Sequence, residues 1–377
     1  MAYVTFFRPA DMFAEAMWDG ELVSTGTRIE ITDPPYVGTY YGSEITLDPN
    51  GVAGGTLLQY VQTYSDSLDY SITDLNCDAR TVYQYLKSGD VPNAQAYVLQ
   101  ANDSIAGSDL ADAIRGWAGN DSILGQDGDD ALHGDDGNDL IYGGAGDDTI
   151  DGGEGDDTAY GDGGNDMIFG RNGDDRLIGD AGNDSLTGGL GDDFLDGGAD
   201  TNTAYISGDR ALYAIDAAAG TISGPDGTDT FMDIERFQFA DKKLAFDLAL
   251  GEAAGNAVRV IGAAFGADNI SAHPDWVGIA LNLFDAGNGI SQLAQLALGT
   301  APYLALAGST SDEAFVNTVY QNVAGVLPSA FEHDYYLGLL QGGFMTQAEL
   351  LRLAATCDAN LLRIDLVGLQ QSGVEFA

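Results

Sequence analysis

Nine aspartates stand nine residues apart without a break: Asp121, Asp130, Asp139, Asp148, Asp157, Asp166, Asp175, Asp184 and Asp193. Carboxylates can act in pairs as general acid and base, or gather hard cations through oxygen. The residues around them decide between the two. From Gly116 to Asp196 the chain reads GWAGNDSIL, GQDGDDALH, GDDGNDLIY, GGAGDDTID, GGEGDDTAY, GDGGNDMIF, GRNGDDRLI, GDAGNDSLT and GGLGDDFLD. Positions one and four are always Gly, position five is Asn or Asp, position six is Asp, and position eight is Ile or Leu except at Ala159. The array holds 22 acids against two bases, Arg171 and Arg176. Acids in this ratio suit cation gathering, and reading a pair of them as acid and base would be a mistake.

The elements that must position these acids follow from the phase. Disordered low-complexity sequence shares composition but not phase. A fixed phase over 81 residues means that each unit does the same structural job. Six residues rich in Gly and Asp predict a tight turn, with Gly at positions one and four permitting backbone angles closed to other residues. The next three, x-apolar-x, predict a very short strand whose middle residue faces a core. Two units, 18 residues, complete one coil, and the coils stack as two parallel sheets. Ile123, Leu132, Ile141, Ile150, Ile168, Leu177, Leu186 and Leu195 lie between the sheets, and Ala159 thins that layer. The aspartates then form two ladders, Asp121, Asp139, Asp157, Asp175 and Asp193 on one edge and Asp130, Asp148, Asp166 and Asp184 on the other. Neighbours in a ladder lie about 4.8 Å apart, where two carboxylates repel by roughly 3 kcal/mol. A core one aliphatic wide cannot absorb that over many rungs, whereas a divalent cation between each pair reverses the sign. Carboxylate and carbonyl oxygens in flexible geometry suit Ca²⁺ better than Mg²⁺.

These units resemble the RTX nonapeptide G-G-x-G-x-D-x-[aliphatic]-x, and the resemblance implies a Ca²⁺-bound parallel β-roll. By that pattern each ion lies between turns 18 residues apart, held by position-six carboxylates and turn carbonyls. Pairing within the nine units gives four sites on one edge and three on the other, about seven in all. The phase extends outward: NDSI and ADAI place Asp103 and Asp112 at the metal position, and GGADTNTAY places Asn202 there. These are expected to be edge turns that cap the stack and bind ions weakly or not at all.

The rest of the chain divides around the array. Residues 1–97 predict a small β-rich α+β module, with strands in TRIEITD, GSEITLDPNG and SLDYSITDLN. Asp78 caps a short helix through ARTVYQYLKSG, and a helical turn starts at Pro92. The roll takes 98–204. Residues 205–249 predict strands with a PDG turn that continue the roll or cover its last coil as a β cap, and DTFMDIERFQFAD resembles the segment that follows RTX arrays. Residues 250–377 predict an all-α domain in which VRVIGAAFGADNISAHPDW and FVNTVYQNVAGVLPSAFEHDYY match weakly, Pro274 aligning with Pro328. This part resembles the DUF4214 domain through Phe315, Tyr320, Pro328, Tyr335 and Tyr336, with Val326 and Glu332 departing from its pattern. Helical packing around these aromatics is the expectation, rather than a small-molecule site. The closing LVGLQQSGVEFA resembles an uncleaved type I secretion signal.

Several function classes fall away. With 59 acids against 14 bases and a net charge of −45, the chain is unsuited to nucleic acid or anionic membrane surfaces. The N-terminal MAYVTFFRPADMFAEAMWDG lacks a basic region followed by an apolar core, so it is not a Sec signal peptide. The most apolar stretch, Leu293 to Gly308, is broken by Pro302 and predicts no membrane span. Cys77 and Cys357 are expected to be free thiols, and His133, His273 and His333 form no ligand pattern. No G-x-S-x-G, H-E-x-x-H or phosphate loop is present. The expectation is a secreted, extracellular Ca²⁺-binding protein without catalytic activity, exported by a type I transporter and structural or binding in role. Its partners beyond calcium are other copies of itself or cell-surface components. The alternatives are a surface-layer or matrix component that assembles with Ca²⁺, and a hydrolase or toxin whose active module carries no recognised motif.

Overall fold

The computed structural model describes residues 21–24, 28–33, 36–48, 51–64, 67–78, 99–248, 252–364, 369–370 and 372–376. Two compact units divide the chain: Met1–Ser207, Leu212–Ala214 and Gly220–Ile234 form one, and Gly208–Ala211, Ile215–Ala219 and Glu235–Ala377 the other. The span 205–249, expected as one cap, is thus shared between them.

The first unit opens with an antiparallel meander of strands Glu21–Ser24, Arg28–Asp33, Tyr36–Asp48, Gly51–Tyr64 and Ser67–Asp78. The helix expected from residue 79 and the helical turn at Pro92 lie outside the described residues. The last meander strand pairs antiparallel with Ser104–Ala106, and parallel stacking begins there. One sheet of the roll contains Ser104–Ala106, Ser122–Asp127, Leu140–Ala145, Thr158–Gly163, Arg176–Ile178 and Phe194–Asp196. The other contains Ala113–Ala118, Ala131–Asp136, Thr149–Glu154, Met167–Asn172, Ser185–Leu190 and Thr203–Tyr205.

Each strand pairs in parallel with the one 18 residues on, so a coil is two nonapeptides, as the phase predicts. Ile105, Ile123, Ile141, Ala159, Leu177 and Leu195 stack along one sheet. Ile114, Leu132, Ile150, Ile168, Leu186 and Ala204 stack along the other. All of these are at most 2% exposed, and each larger aliphatic contributes about 1.5–3 kcal/mol by leaving water.

The strands are longer than the pattern suggests. Most span six residues, from position seven to position three of the next unit, so the turn proper is only positions four to six. Position-one Gly lies inside the strand, two residues after the aliphatic, and is buried on the same face.

After Tyr205 the chain leaves the stack and returns. Thr228–Met232 lies parallel to Phe194–Asp196, with Phe231 opposite Leu195, and antiparallel to Thr221–Ser223. The PDG turn is therefore part of a further coil.

The second unit packs helices Ala253–Phe265, Asp268–Ala272, Pro274–Asp285, Ile290–Leu298, Ala301–Ala307, Asp312–Ala324, Ala330–Gln341, Gln347–Ala355 and Asp358–Arg363. Ala253–Phe265 is central, with Val258, Ile261 and Ala264 buried in one cluster with Phe315, Val319 and Leu351. Arg236–Gln238 pairs antiparallel with Lys243–Ala245, which pairs antiparallel with Val374–Phe376, so the VEF of the closing segment is a strand. Pro274 opens a helix, whereas Pro328 precedes the capping Ser329, so the two aligned prolines occupy different places. Among the described residues no helix is long and apolar enough to cross a membrane.

Candidate metal centres along the roll

All nine repeat aspartates are buried, at most 3% exposed. Their two oxygens differ. The backbone N–H of each of the first seven donates to Oδ1 of the aspartate one coil later: Asp121 to Asp139, Asp139 to Asp157 and Asp157 to Asp175 at 2.7–2.8 Å on one edge. Asp130 to Asp148, Asp148 to Asp166 and Asp166 to Asp184, all at 2.8 Å, repeat this on the other. The second oxygen, Oδ2, is buried without a hydrogen-bond partner at every one of the nine.

The surroundings of Oδ2 explain position one. A side chain at Gly152 would fall on Asp157 Oδ2 and on the carbonyl oxygen of Gly170 in the next coil. The same pair of oxygens borders Gly116, Gly125, Gly134, Gly143, Gly161, Gly170 and Gly179. Position one is Gly because oxygens crowd it; its backbone angle is ordinary, contrary to the expectation from sequence. Position four does need the left-handed region, at φ +119 to +144°, and also meets a carbonyl of the preceding coil. Position two is left-handed as well, and Trp117, Gln126, Asp135, Asp162, Arg171 and Asp180 adopt it without being Gly.

Position five builds a second ladder running the other way. Asn138 N–H donates to Asn120 Oδ1, Asp156 N–H to Asn138 Oδ1 and Asp174 N–H to Asp156 Oδ1, at 3.0–3.2 Å. Asn and Asp share that oxygen, which accounts for both types occurring there.

Eight of the nine turns thus present a buried carboxylate oxygen to a carbonyl oxygen, two acceptors with no proton between them; at Gly188 only Asp193 Oδ2 closes in. Burial pushes the carboxyls of Asp121, Asp148, Asp157, Asp166 and Asp175 up to about 7, against the opposing pull of the N–H bond from the coil before. Asp139, Asp184 and Asp193 reach about 6 for the same reason, and Asp130 is raised. Neighbouring carboxylates add to this, Asp139 and Asp175 on Asp157 for example. Among the described residues no three His, Cys, Asp or Glu side chains converge. The donor set is therefore carboxylate plus backbone carbonyl, all oxygen, which fits a hard cation of flexible coordination such as Ca²⁺ and not Zn²⁺.

The ends of the ladders show the same logic with other atoms. Near the start of one edge, Ser108 donates both N–H (2.7 Å) and hydroxyl (3.0 Å) to Asp112 Oδ2. At the far end Asn202, wholly buried, accepts from Asp184 N–H at 2.9 Å, as an aspartate would. Its Nδ2 then donates to the carbonyls of Ala199 (3.1 Å) and Asp233 (3.2 Å). Where the aspartates set an acceptor against a carbonyl, Asn202 sets a donor. At the start of the other edge Asp103 is buried and its N–H reaches Asp121 Oδ1 at 2.7 Å.

That other edge continues past the array to a residue the sequence reading missed. Asp193 N–H donates to Asp229 Oδ1 at 3.1 Å, and burial pushes the Asp229 carboxyl up to about 7. The signal was available: residues 224–232, GPDGTDTFM, carry Gly, Gly, Asp and an apolar residue at positions one, four, six and eight. Eighteen intervening residues, 206–223, hide it from a contiguous count.

Outside the roll's turns the singled-out residues have the following neighbours. His133 lies 3.9 Å from Asp151, His273 stacks on Trp276 at 3.9 Å, and His333 lies 3.3 Å from Asp334. Cys357 is a free thiol. Phe315 is core, Tyr320 donates to Glu332 at 2.6 Å, and Tyr336 lies between Tyr320 and Tyr335. Glu332, a departure from the expected pattern, completes a capping box with Ser329.

Comparison with known families agrees with this geometry. Residues 99–132, 133–168 and 169–204 match the RTX calcium-binding nonapeptide repeat. Residues 298–356 match DUF4214, a domain of unknown function. The chain thus carries RTX calcium-binding repeats ahead of a DUF4214 segment. No curated protein matches it.

Proposed function

We propose that this is a secreted, non-catalytic protein whose roll folds when extracellular Ca²⁺ enters the aspartate ladders, and that it serves a structural or binding role at or outside the cell surface. The observation that carries the reading is the row of nine buried Oδ2 atoms without hydrogen-bond partners. Bound calcium supplies the positive charge that these oxygens and the facing carbonyls lack. Asp121, Asp139, Asp157, Asp175 and Asp193 hold it on one edge, and Asp130, Asp148, Asp166 and Asp184 on the other.

Linkage gives the scale. A ligand that binds only the folded state stabilises it by RT ln(1 + [L]/Kd), about 1.4 kcal/mol per site at ten times Kd, so seven sites add about 10 kcal/mol. That matches the whole stability of a typical domain. Extracellular modules bind Ca²⁺ with Kd of roughly 10⁻⁴ to 10⁻³ M. Cytosolic free Ca²⁺ far below this leaves the array unfolded and fit for export by a type I transporter. The test is far-UV circular dichroism with Ca²⁺ and with chelator at neutral pH. Strand signal should rise with Ca²⁺; full strand signal in chelator would sink the folding switch.

A further inference from the structure

We infer that residues 224–232 form a detached calcium-binding nonapeptide, and that Asp193 and Asp229 hold an ion between coils separated by the 206–223 excursion. This rests on the reading that calcium fills the ladders. It places an ion outside the contiguous repeats.

At positions four to seven the bonds by which one coil receives the next recur here, whereas at position one Gly224 meets the Tyr213 ring. Within the array Phe194 N–H donates to Asp175 O, and Thr230 N–H donates to Asp193 O, both at 2.8 Å. Gly173 N–H donates to Leu190 O, and Gly191 N–H to Asp226 O, both at 2.9 Å. Asp192 N–H reaches Asp174 Oδ1, and Thr228 N–H reaches Asp192 Oδ1, at 2.8 and 2.7 Å. A side chain at Gly227 would fall on Gly191 O, as one at Gly191 would on Gly173 O. The metal position follows suit, with Asp193 N–H on Asp229 Oδ1 and Asp229 only 9% exposed.

A cluster of acids alone would not make a site. The second observation is Asp193 Oδ2, on a side chain 2% exposed and without a hydrogen-bond partner. Elsewhere in the ladder this oxygen faces the following coil, as Asp175 Oδ2 lies with Gly188 O beside Gly170. For Asp193 the following coil is 224–232. The opposite edge shows what an ion-free ending looks like, with the Asn202 amide donating to Asp233 O at 3.2 Å. Asp229 supplies no such amide. The turn is also tied from outside, since Tyr213 hydroxyl donates to Asp226 at 2.7 Å. Calcium at this point would fasten the returning strand to the stack.

The test counts calcium per chain by equilibrium dialysis at saturating Ca²⁺, with circular dichroism as a fold control. Asp229→Asn keeps the acceptor for Asp193 N–H, as Asn202 does for Asp184, and should lower the count by one. Asp193→Asn touches the ions on both sides and should lower it by two. The double variant should also lose two, because the ion is shared. An unchanged count in Asp229→Asn, or a loss of only one in Asp193→Asn, overturns the proposal; the second arm decides even if the first variant does not fold. A loss of three in the double variant places an ion at Asp229 without Asp193 and overturns it too. If the wild-type protein takes up no calcium, the reading of the whole array fails with it, a result distinct from a full wild-type count that Asp229→Asn leaves unchanged.

Discussion

Replacing Asp157 with Asn should move the stability of the roll in opposite directions with and without calcium. Asn keeps the oxygen that receives Asp139 N–H and removes the charge. The folded carboxyl of Asp157 lies near 7, above its ordinary 3.8, because of burial. Its contribution to folding is therefore present below pH 4 and is lost as pH rises through about 7. At pH 8 in chelator, ionising this one group opposes the roll by about 4 kcal/mol. Asn removes that opposition, so the acid-driven folding midpoint in chelator should move to higher pH. With calcium the ledger reverses. Asp157 borders the ions shared with Asp139 and Asp175, and weakening two sites at ten times Kd forfeits about 3 kcal/mol. The assay is strand signal against pH in chelator and against urea in millimolar Ca²⁺. If Asp157→Asn folds at the wild-type pH in chelator, the buried carboxyl does not oppose the roll; if it resists urea better than wild type in Ca²⁺, the ladder is not held by cations.

Three further outcomes are expected. Gly152→Ala places a methyl on Asp157 Oδ2 and Gly170 O, and should cost about 2 kcal/mol in the calcium-loaded protein, read as a lower urea midpoint and a weaker Ca²⁺ titration. Gln126→Gly relieves a left-handed residue at φ 89° but removes the Nε2 hydrogen bond to the Gly107 carbonyl, so the two should offset and leave the stability within about 1 kcal/mol of wild type in urea. In the helical unit, Arg236→Met strands Asp247, since both partners of that ion pair are at most 5% exposed; a loss of about 3 kcal/mol or more should lower the melting of the helical signal.

How far the sequence speaks depends on how many demands meet at each residue. Position six must be an acid and position eight an aliphatic, so the ladders, the seam and the 18-residue coil could be read directly. Strand length could not, because position-one Gly looks like a turn residue and its reason for being Gly, the oxygens of Asp157 and Gly170 around Gly152, is a contact across coils. The constancy of Asn or Asp at position five was visible without its cause, since its bonds run one coil back. Asp229 was hidden by distance along the chain, although its nonapeptide keeps the motif. Asn202 reads as a worn aspartate in sequence. In three dimensions it is the residue that lets one edge stop, because its amide meets the Asp233 carbonyl.

The excursion between Tyr205 and Gly224 also bears on the order in which the molecule assembles. Within the array the bonds between coils at the turns join residues 17 to 19 apart, for which closure is short and uniform along the stack. The bonds to Asp229 and Thr228 span 36. Doubling the loop adds about 0.6 kcal/mol of closure entropy, and the seam must already exist to receive the incoming strand. Winding can therefore begin anywhere along the uniform coils and spread to its neighbours. The strand Thr228–Met232 docks last and is the first to leave, so hydrogen exchange should open from this end of the roll before the middle.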